Sequence, residues 1–327
     1  MLGKKIFIVA EIGANHNGDL NLAKKMIYSA KKCGCDAVKF QSWDETLNSD
    51  FVYNKNKKIL KEYLKYKLNF EKLRILRKFA KKNDIKFGTA IFNKSQLLEA
   101  IKIKCDFIKI ASMDFDNYDL IQDTCKTKLP LIISTGFASN KELEFGLRFI
   151  KKRRKKNITI LHCVSVYPAD NKSLNLRNIP MIKNKFKFDV GFSDHTIGTT
   201  AAIVSVSLGA TVIEKHFTTS KKLSGWDHSI SANPSEMREI VENSKRILTT
   251  LGSYERKISP RELKQSKIMR RSIVLISNIE KGKKILNSHL DLRRPGTGLR
   301  PQFLKKIVGK KAKKNLKKGY LLKLGDF

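Results

Sequence analysis

KFDVGFSDHTIGTTAAIVSVSLGATVIEKHF, residues 187–217, contains one strand–helix–strand repeat in full. An apolar run (187–193) ends at Ser193, Asp194 and His195. A stretch with helical apolar spacing (197–209) follows, and a second apolar run (210–217) closes the unit. Neither run alternates cleanly between polar and apolar residues, which is the texture of parallel strands covered on both faces.

The same unit recurs along the chain. Strand-like runs at 5–12, 35–41, 85–90, 105–112, 129–135 and 158–165 precede the two already quoted, and amphipathic stretches such as 22–34, 70–83 and 141–152 lie between them. Eight such units in about 250 residues predict an α/β fold, a closed (β/α)₈ barrel, over residues 1–252. A doubly wound sheet is the alternative, weakened because no G-x-G-x-x-G follows the first strand. The texture changes beyond it. Residues 253–268 are polar and read as a linker, and residues 269–327 carry short strands broken by Gly, Asn and Pro, which predicts a small β-rich domain.

Composition excludes several classes. The chain has 67 Lys and Arg against 30 Asp and Glu, a formal net charge of +37. The lysines are spread over the whole length, with no zinc-finger spacing, helix-turn-helix signal or aromatic RNA-binding strand. The reading is therefore no nucleic-acid partner but a surface that favours small acidic substrates. No run reaches the roughly 18 apolar residues of a membrane span, and the apolar N-terminal run meets Glu11 rather than a cleavage site. A cytoplasmic protein without a membrane partner is expected. The five cysteines form no C-x-x-C pair and read as buried or incidental thiols.

In a barrel of this kind, chemistry sits at the C-terminal ends of the strands. Polar residues gather there: Glu11, Lys39, Lys109 with Ser112 and Asp114, Ser134, Ser165 with Tyr167, Ser193 with His195, and Glu214 with His216. Asp227 lies in the loop after the eighth strand. His195 and His216, on neighbouring strand ends, are the best pair for a divalent ion, and imidazole suits Zn, Fe, Ni or Mn. Glu214, in phase with His216, is a further ligand or an acid–base group. A lysine inside an apolar strand must meet an anion or lose its charge. Lys39 and Lys109 therefore read as a clamp for a carboxylate or phosphate, or as a Schiff-base lysine. Ser193-Asp194-His195 invites a hydrolase triad, yet adjacency in sequence is poor evidence of triad geometry. The residues alone give a barrel enzyme for a small anionic substrate and leave its reaction open.

AEIGANHNG (10–18), AVKFQ (37–41), FIKIAS (107–112), LIISTG (131–136), HCVSVYP (162–168), GFSDHTIG (191–198), IEKHF (213–217), GWDHSIS (225–231) and RRPGTG (293–298) occur in this order. Together they resemble the sialic acid synthase family, which comprises N-acetylneuraminate, legionaminate and pseudaminate synthases. The resemblance covers nearly the whole chain. It implies a (β/α)₈ barrel followed by an antifreeze-like (SAF) domain, and a domain-swapped homodimer in which that domain caps the partner's barrel. It implies condensation of phosphoenolpyruvate with an N-acylated amino sugar such as N-acetylmannosamine, with release of phosphate. A 2,4-diacetamido-trideoxyhexose is the alternative acceptor, and a non-catalytic sugar-binding barrel the alternative function.

By motif match the resemblance implies His195 and His216 as ligands of a divalent ion, typically Mn²⁺. It places Lys39 and Lys109 at the anionic end of phosphoenolpyruvate without a covalent link. Ser112, Ser134, Ser165 and Ser193 would bond phosphate, and Glu11, Tyr167 and Asp227 would meet the sugar. Glu214 would support the metal, Asp114 or Glu214 would be the base for the attacking water, and Arg294 would reach the N-acyl group across the dimer. The chain departs from the family pattern at Ala111-Ser112-Met113-Asp114, at Ser165, at Trp226 in GWDH and in the TAIF stretch (89–92).

Overall fold

The computed structural model describes residues 5–327. Met1–Lys4, the front of the N-terminal segment read as leading into a strand, lie outside the described residues. The chain divides into two compact units, Met1–Gly252 and Ser253–Phe327.

In the first unit eight strands alternate with helices: β1 (Phe7–Glu11), β2 (Ala37–Gln41), β3 (Lys86–Ile91), β4 (Phe107–Ile110), β5 (Leu131–Ser134), β6 (Ile158–Cys163), β7 (Asp189–Asp194) and β8 (Val212–His216). They pair in sequence order, and β8 returns in parallel register to β1, with Glu11 opposite His216. Closure excludes the doubly wound sheet. Outward-facing Val38, Phe40, Phe87, Ile108, Ile133, Ile160, Phe192 and Ile213 join the main core beneath the helices. Helix boundaries follow local chemistry. Asn233 caps Pro234–Leu251 and exchanges bonds with Glu236 in a capping box, with proline at the first turn.

Inside the barrel, Val9, Ala37, Phe107, Ile132, Leu161 and Val212 pack as one apolar layer. Gly88 leaves room for Phe107, because a Cβ there would lie 2.2 Å from the ring. Side chains on a strand return to the same face every second residue. Two residues beyond each member of the layer stand Glu11, Lys39, Lys109, Ser134, Cys163 and Glu214. The apolar layer is thus the floor of the polar site, and the strand period alone builds that site.

Two stretches differ from the sequence reading. Residues 42–69, given no element, hold the helices Asp50–Lys55 and Lys57–Tyr66. Their apolar spacing (Ile59, Leu60, Tyr63, Leu64) is diluted by lysine and asparagine. The stretch read as linker, 253–268, contains most of the helix Pro260–Met269, which belongs to the second unit. Ser259 caps it and accepts from Glu262 N, with Pro260 at the first position, a start signal that the polar composition obscures. The second unit also holds the antiparallel pair β9 (Ser272–Leu275) and β10 (Leu290–Arg293). Its own core contains Ile273, Leu275, Ile285, Ile307 and Leu322.

Candidate active site

The ends of β1, β2, β4 and β8 bring two lysines and two glutamates together, all of them buried. Lys39 Nζ lies 2.6 Å from Glu11 Oε2 and 3.9 Å from Glu214 Oε2. Lys109 Nζ donates to Glu214 Oε1 at 2.6 Å, and Ser193 Oγ donates to the same oxygen at 3.0 Å. Gln41 Nε2 donates to Glu11 Oε1 at 2.9 Å. Buried charges persist only when paired and hydrogen-bonded, and here each has a partner.

The environment drives the two carboxylates apart. Burial opposes ionisation of Glu214, but Lys109 and Lys39, with the Ser193 hydrogen bond, bring it down to about 2. For Glu11 burial prevails over Lys39 and pushes it up to about 7. One is a fixed anion and the other titrates near neutrality, the pattern that separates electrostatic from acid–base roles. Burial works against the charge of Lys39, yet Glu11 and Glu214 hold it above its ordinary value. Lys109 is lowered, by burial first and by Lys39 beside it, although Glu214 opposes the shift.

The hydroxyl groups form a second cluster. Gly136 N donates to Ser112 Oγ at 3.1 Å, and Ser112 Oγ and Ser165 Oγ lie 3.5 and 3.6 Å from Cys163 Sγ. A Cβ on Gly136 would sit 2.1 Å from Ser165 Oγ and 2.7 Å from Ser112 Oγ, so only glycine keeps this cradle open. Ser134 Oγ is buried without a hydrogen-bond partner. Ser193, grouped with these hydroxyls in the sequence reading, donates to Glu214. Cys163, read as incidental, belongs to the cluster. Burial opposes its ionisation, but His195 and the two serines bring it down to about 7.

The histidine pair stands beside the glutamates. His195 and His216 have ring centroids 5.6 Å apart. His195 Nδ1 donates to Val164 O at 2.9 Å; burial opposes the charge of this ring, but Cys163 and that carbonyl hold it above its ordinary value. His216 Nδ1 is buried without a hydrogen-bond partner, 3.5 Å from Asp227 Oδ2. Burial, aided by His195 and Lys39, holds His216 well below its ordinary value and therefore neutral. Two imidazoles this close fit a divalent ion whose other positions go to oxygen. Among the described residues, no group of three or more His, Cys, Asp or Glu forms a metal cluster. Tyr167 stacks on His195 with centroids 4.1 Å apart.

Asp194 faces the other way. It accepts from Lys215 Nζ at 2.7 Å and from Thr196 N at 2.8 Å, and Lys215 also donates to Thr196 O at 2.7 Å. This buried pair fixes the turn that carries His195. Lys215, missed because it lies between Glu214 and His216, is its anchor. Asp114 is not brought to the glutamates. Its carboxylate accepts from Asn117 at 3.2 Å, and burial raises it. Arg294 is exposed, in the second unit. Three further strand-end or loop histidines are structural. His16 Nδ1 accepts from Gly18 N, His162 Nε2 donates to Leu174 O at 2.6 Å, and His228 bonds Thr218. At the opposite end of the strands, a cavity of about 690 Å³ is lined by Lys5, Asp36, Arg77 and Asp106, already paired with one another.

A closed parallel barrel gathers buried lysines, carboxylates, hydroxyls and two neighbouring imidazoles at the C-terminal ends of its strands. The chain belongs to the NeuB family, the sialic-acid-type synthases: the family pattern matches residues 26–256, and a SAF domain matches residues 270–327. It is 38% identical to the N,N'-diacetyllegionaminic acid synthase of Legionella pneumophila, over 97% of this chain and 93% of that protein. It is 35% identical to the pseudaminic acid synthase of Helicobacter pylori, over 98% and 97%. A crystal structure of N-acetylneuraminic acid synthetase from Leptospira borgpetersenii in complex with citrate matches with a TM-score of 0.74 at 34% identity, covering 80% of this chain and 90% of that one. No helix among the described residues is long and apolar enough to cross a membrane.

Proposed function

We propose that the chain condenses phosphoenolpyruvate with an N-acylated amino sugar and water to give a nonulosonic acid and inorganic phosphate. The observation that carries this is the pairing of a lysine–glutamate cluster with a serine-lined, glycine-floored cradle on neighbouring strand ends. A donor bearing both a carboxylate and a phosphate needs two such sites. Lys39 and Lys109 meet the anionic donor without a covalent bond, and Ser112, Ser134 and Ser165 with the Gly136 turn receive its phosphate. Glu214 stays ionised and orients both lysines. Glu11, tuned to about 7, moves the proton of the attacking water. It suits that role better than Asp114, which lies outside the cluster, or Glu214, held as an anion.

His195 and His216 would hold a divalent ion, Mn²⁺ in the family's pattern. Bound there, such an ion would supply Lewis-acid polarisation of the sugar aldehyde. Tyr167 and Asp227 flank the two imidazoles and position the acceptor. N-acetylmannosamine gives N-acetylneuraminate, and a 2,4-diacetamido-trideoxyhexose gives a legionaminate- or pseudaminate-type acid, as the relatives' names suggest. Met113, Phe137, Val166, Tyr167 and Ile197 follow β4 to β7 at one end of the barrel, each half or more exposed. That apolar rim supports a domain-swapped homodimer in which the partner's SAF domain covers the site and Arg294 of the partner subunit meets the N-acyl group. The donor places the enzyme in the cytoplasm.

The test mixes purified protein, Mn²⁺, phosphoenolpyruvate and both kinds of sugar. Phosphate release that depends on the sugar and is matched by a 2-keto acid is the expected result. No release with any N-acylated sugar would refute the reading.

A further inference from the structure

The loop after β1, ANHNG (14–18), carries two asparagines, Asn15 and Asn17, that the proposed chemistry does not use. Both reach across the seam where β8 meets β1, to the loop that holds Asp227. Asn15 is wholly buried. Its Nδ2 donates to Phe217 O at 2.9 Å and to Ser231 Oγ at 2.8 Å, one bond to each end of that loop. A backbone carbonyl only accepts, so the amide nitrogen must face Phe217, and both of its hydrogens are used. Ser231 Oγ passes its own hydrogen to Asp227 O at 2.6 Å, and Ser231 N donates to the same oxygen at 3.0 Å. Asn17 Nδ2 donates to Ser224 O at 2.8 Å, further out on the loop.

The two ends of the loop are closed on each other beneath these bonds. Thr218 N donates to Ala232 O at 3.0 Å, and Ala232 N to His216 O at 2.7 Å. The approach to Asn17 is close enough to require glycine. A Cβ on Gly225 would lie 2.6 Å from Asn17 Oδ1 and 2.7 Å from the His228 ring, and Gly225 has a φ of +151°. On the other flank Trp226 packs on Tyr66, with ring centroids 4.8 Å apart. Between these anchors stands Asp227, whose carboxylate lies 3.5 Å from His216 Nδ1. Among the described residues no hydrogen bond holds that carboxylate itself. Its place before the imidazoles is therefore set by the backbone that carries it, and the backbone is fixed by Ser231, Asn15 and Asn17.

We infer that Asn15, through Ser231, and Asn17 are positioning residues for the acceptor: they clamp the loop after β8 so that the Asp227 carboxylate stands before the imidazole pair. The inference rests on the proposed condensation, in which Asp227 meets the sugar. The donor is held by Lys39, Lys109 and the serine cradle, on other strand ends. Loosening the clamp therefore weakens the grip on the sugar and spares phosphoenolpyruvate.

Ser231→Ala removes a single oxygen and breaks the relay from Asn15 to Asp227. Asn17→Ala cuts the tie to Ser224 at a partly buried residue, so the test survives even if Ser231→Ala fails to fold. N-acetylmannosamine and a 2,4-diacetamido-trideoxyhexose are the probes, and the one that the wild type turns over faster is used. Initial rates with each substrate varied in turn, at saturating Mn²⁺, give both KM values. Each variant should raise the KM of the sugar about three- to tenfold, the worth of one hydrogen bond, and leave that of phosphoenolpyruvate within about twofold. A merely structural role would lower the active fraction, and with it kcat, while KM stays in place. Calorimetric titration with the same sugar should show the same loss without turnover. In an Asp227→Ala background, Ser231→Ala should change the sugar's dissociation constant by less than about twofold, because effects exerted through one group do not add. A sugar KM unchanged in both variants, an equal rise in KM for phosphoenolpyruvate, or a full loss that persists without Asp227 would each overturn the inference and leave the condensation standing. A wild type that releases no phosphate with either sugar would instead sink the condensation itself, and this inference with it.

Discussion

Gly136→Ala separates the phosphate cradle from the folding of the barrel. Gly136 has no left-handed φ, so alanine adds no backbone strain there. Its new methyl would lie 2.1 Å from Ser165 Oγ, 2.7 Å from Ser112 Oγ and 3.0 Å from Ser112 Cβ. An ordinary contact needs roughly 3.5 Å, so the Ser165 hydroxyl must retreat by more than about 1 Å. A hydrogen bond to a charged group contributes about 1.5–3 kcal/mol. Loss of one phosphate bond therefore raises KM for phosphoenolpyruvate about 10- to 100-fold. Initial rates of phosphate release, with each substrate varied in turn, give the two KM values. The KM of the sugar should move much less, and the melting temperature little. Ser165→Ala removes the closest clash and leaves the contact with Ser112 Oγ at 2.7 Å, so adding Gly136→Ala to Ser165→Ala should raise KM by less than Gly136→Ala does in the wild type. A Gly136→Ala enzyme with wild-type KM for phosphoenolpyruvate would refute the assignment of this cradle to phosphate.

Lys215→Met leaves the Asp194 carboxylate buried without its partner, which costs about 3–5 kcal/mol. A thermal melt should show the loss, the double variant with Asp194→Asn should recover part of it, and a melt unchanged from wild type would deny the pair its role beneath His195. Gly88→Ala drives a methyl into the Phe107 ring, destabilising the barrel by about 1–3 kcal/mol, and Phe107→Leu should relieve it in urea titrations. Glu11 binds its proton more tightly in the folded chain, with its value raised from 4.5 to about 7. Between those values the folded state holds more protons than the unfolded, so stability falls as pH rises. Glu11→Gln should flatten this decline in melting temperature; an identical pH profile would contradict the shift.

The barrel was legible because each strand is a continuous apolar run closed by polar residues. The site was legible because Glu11, Lys39, Lys109 and Glu214 each break such a run at an inward position. Three features were hidden for physical reasons. Lys215 and Asp194 alternate with site residues on the same strands, and only the register shows that they face the opposite side. Cys163 carries no spacing signal of its own, and it meets Ser112 only when the closed barrel brings the ends of β4 and β6 together. The helices Asp50–Lys55 and Lys57–Tyr66 lie in a lysine- and asparagine-rich stretch whose apolar period is weak. Ser193, which the family resemblance groups with the phosphate hydroxyls, also bonds Glu214 across the β7–β8 pair, a contact that only the register brings about.

The central claim is a new carbon–carbon bond between phosphoenolpyruvate and the sugar. Phosphoenolpyruvate labelled with ¹³C at C3, incubated with the enzyme, Mn²⁺ and the acceptor, reports it directly by ¹³C NMR. The label should appear in the methylene of a nine-carbon 2-keto acid, with one phosphate released for each molecule formed. Label recovered in the methyl group of pyruvate, with phosphate released whether or not the sugar is present, would contradict the condensation.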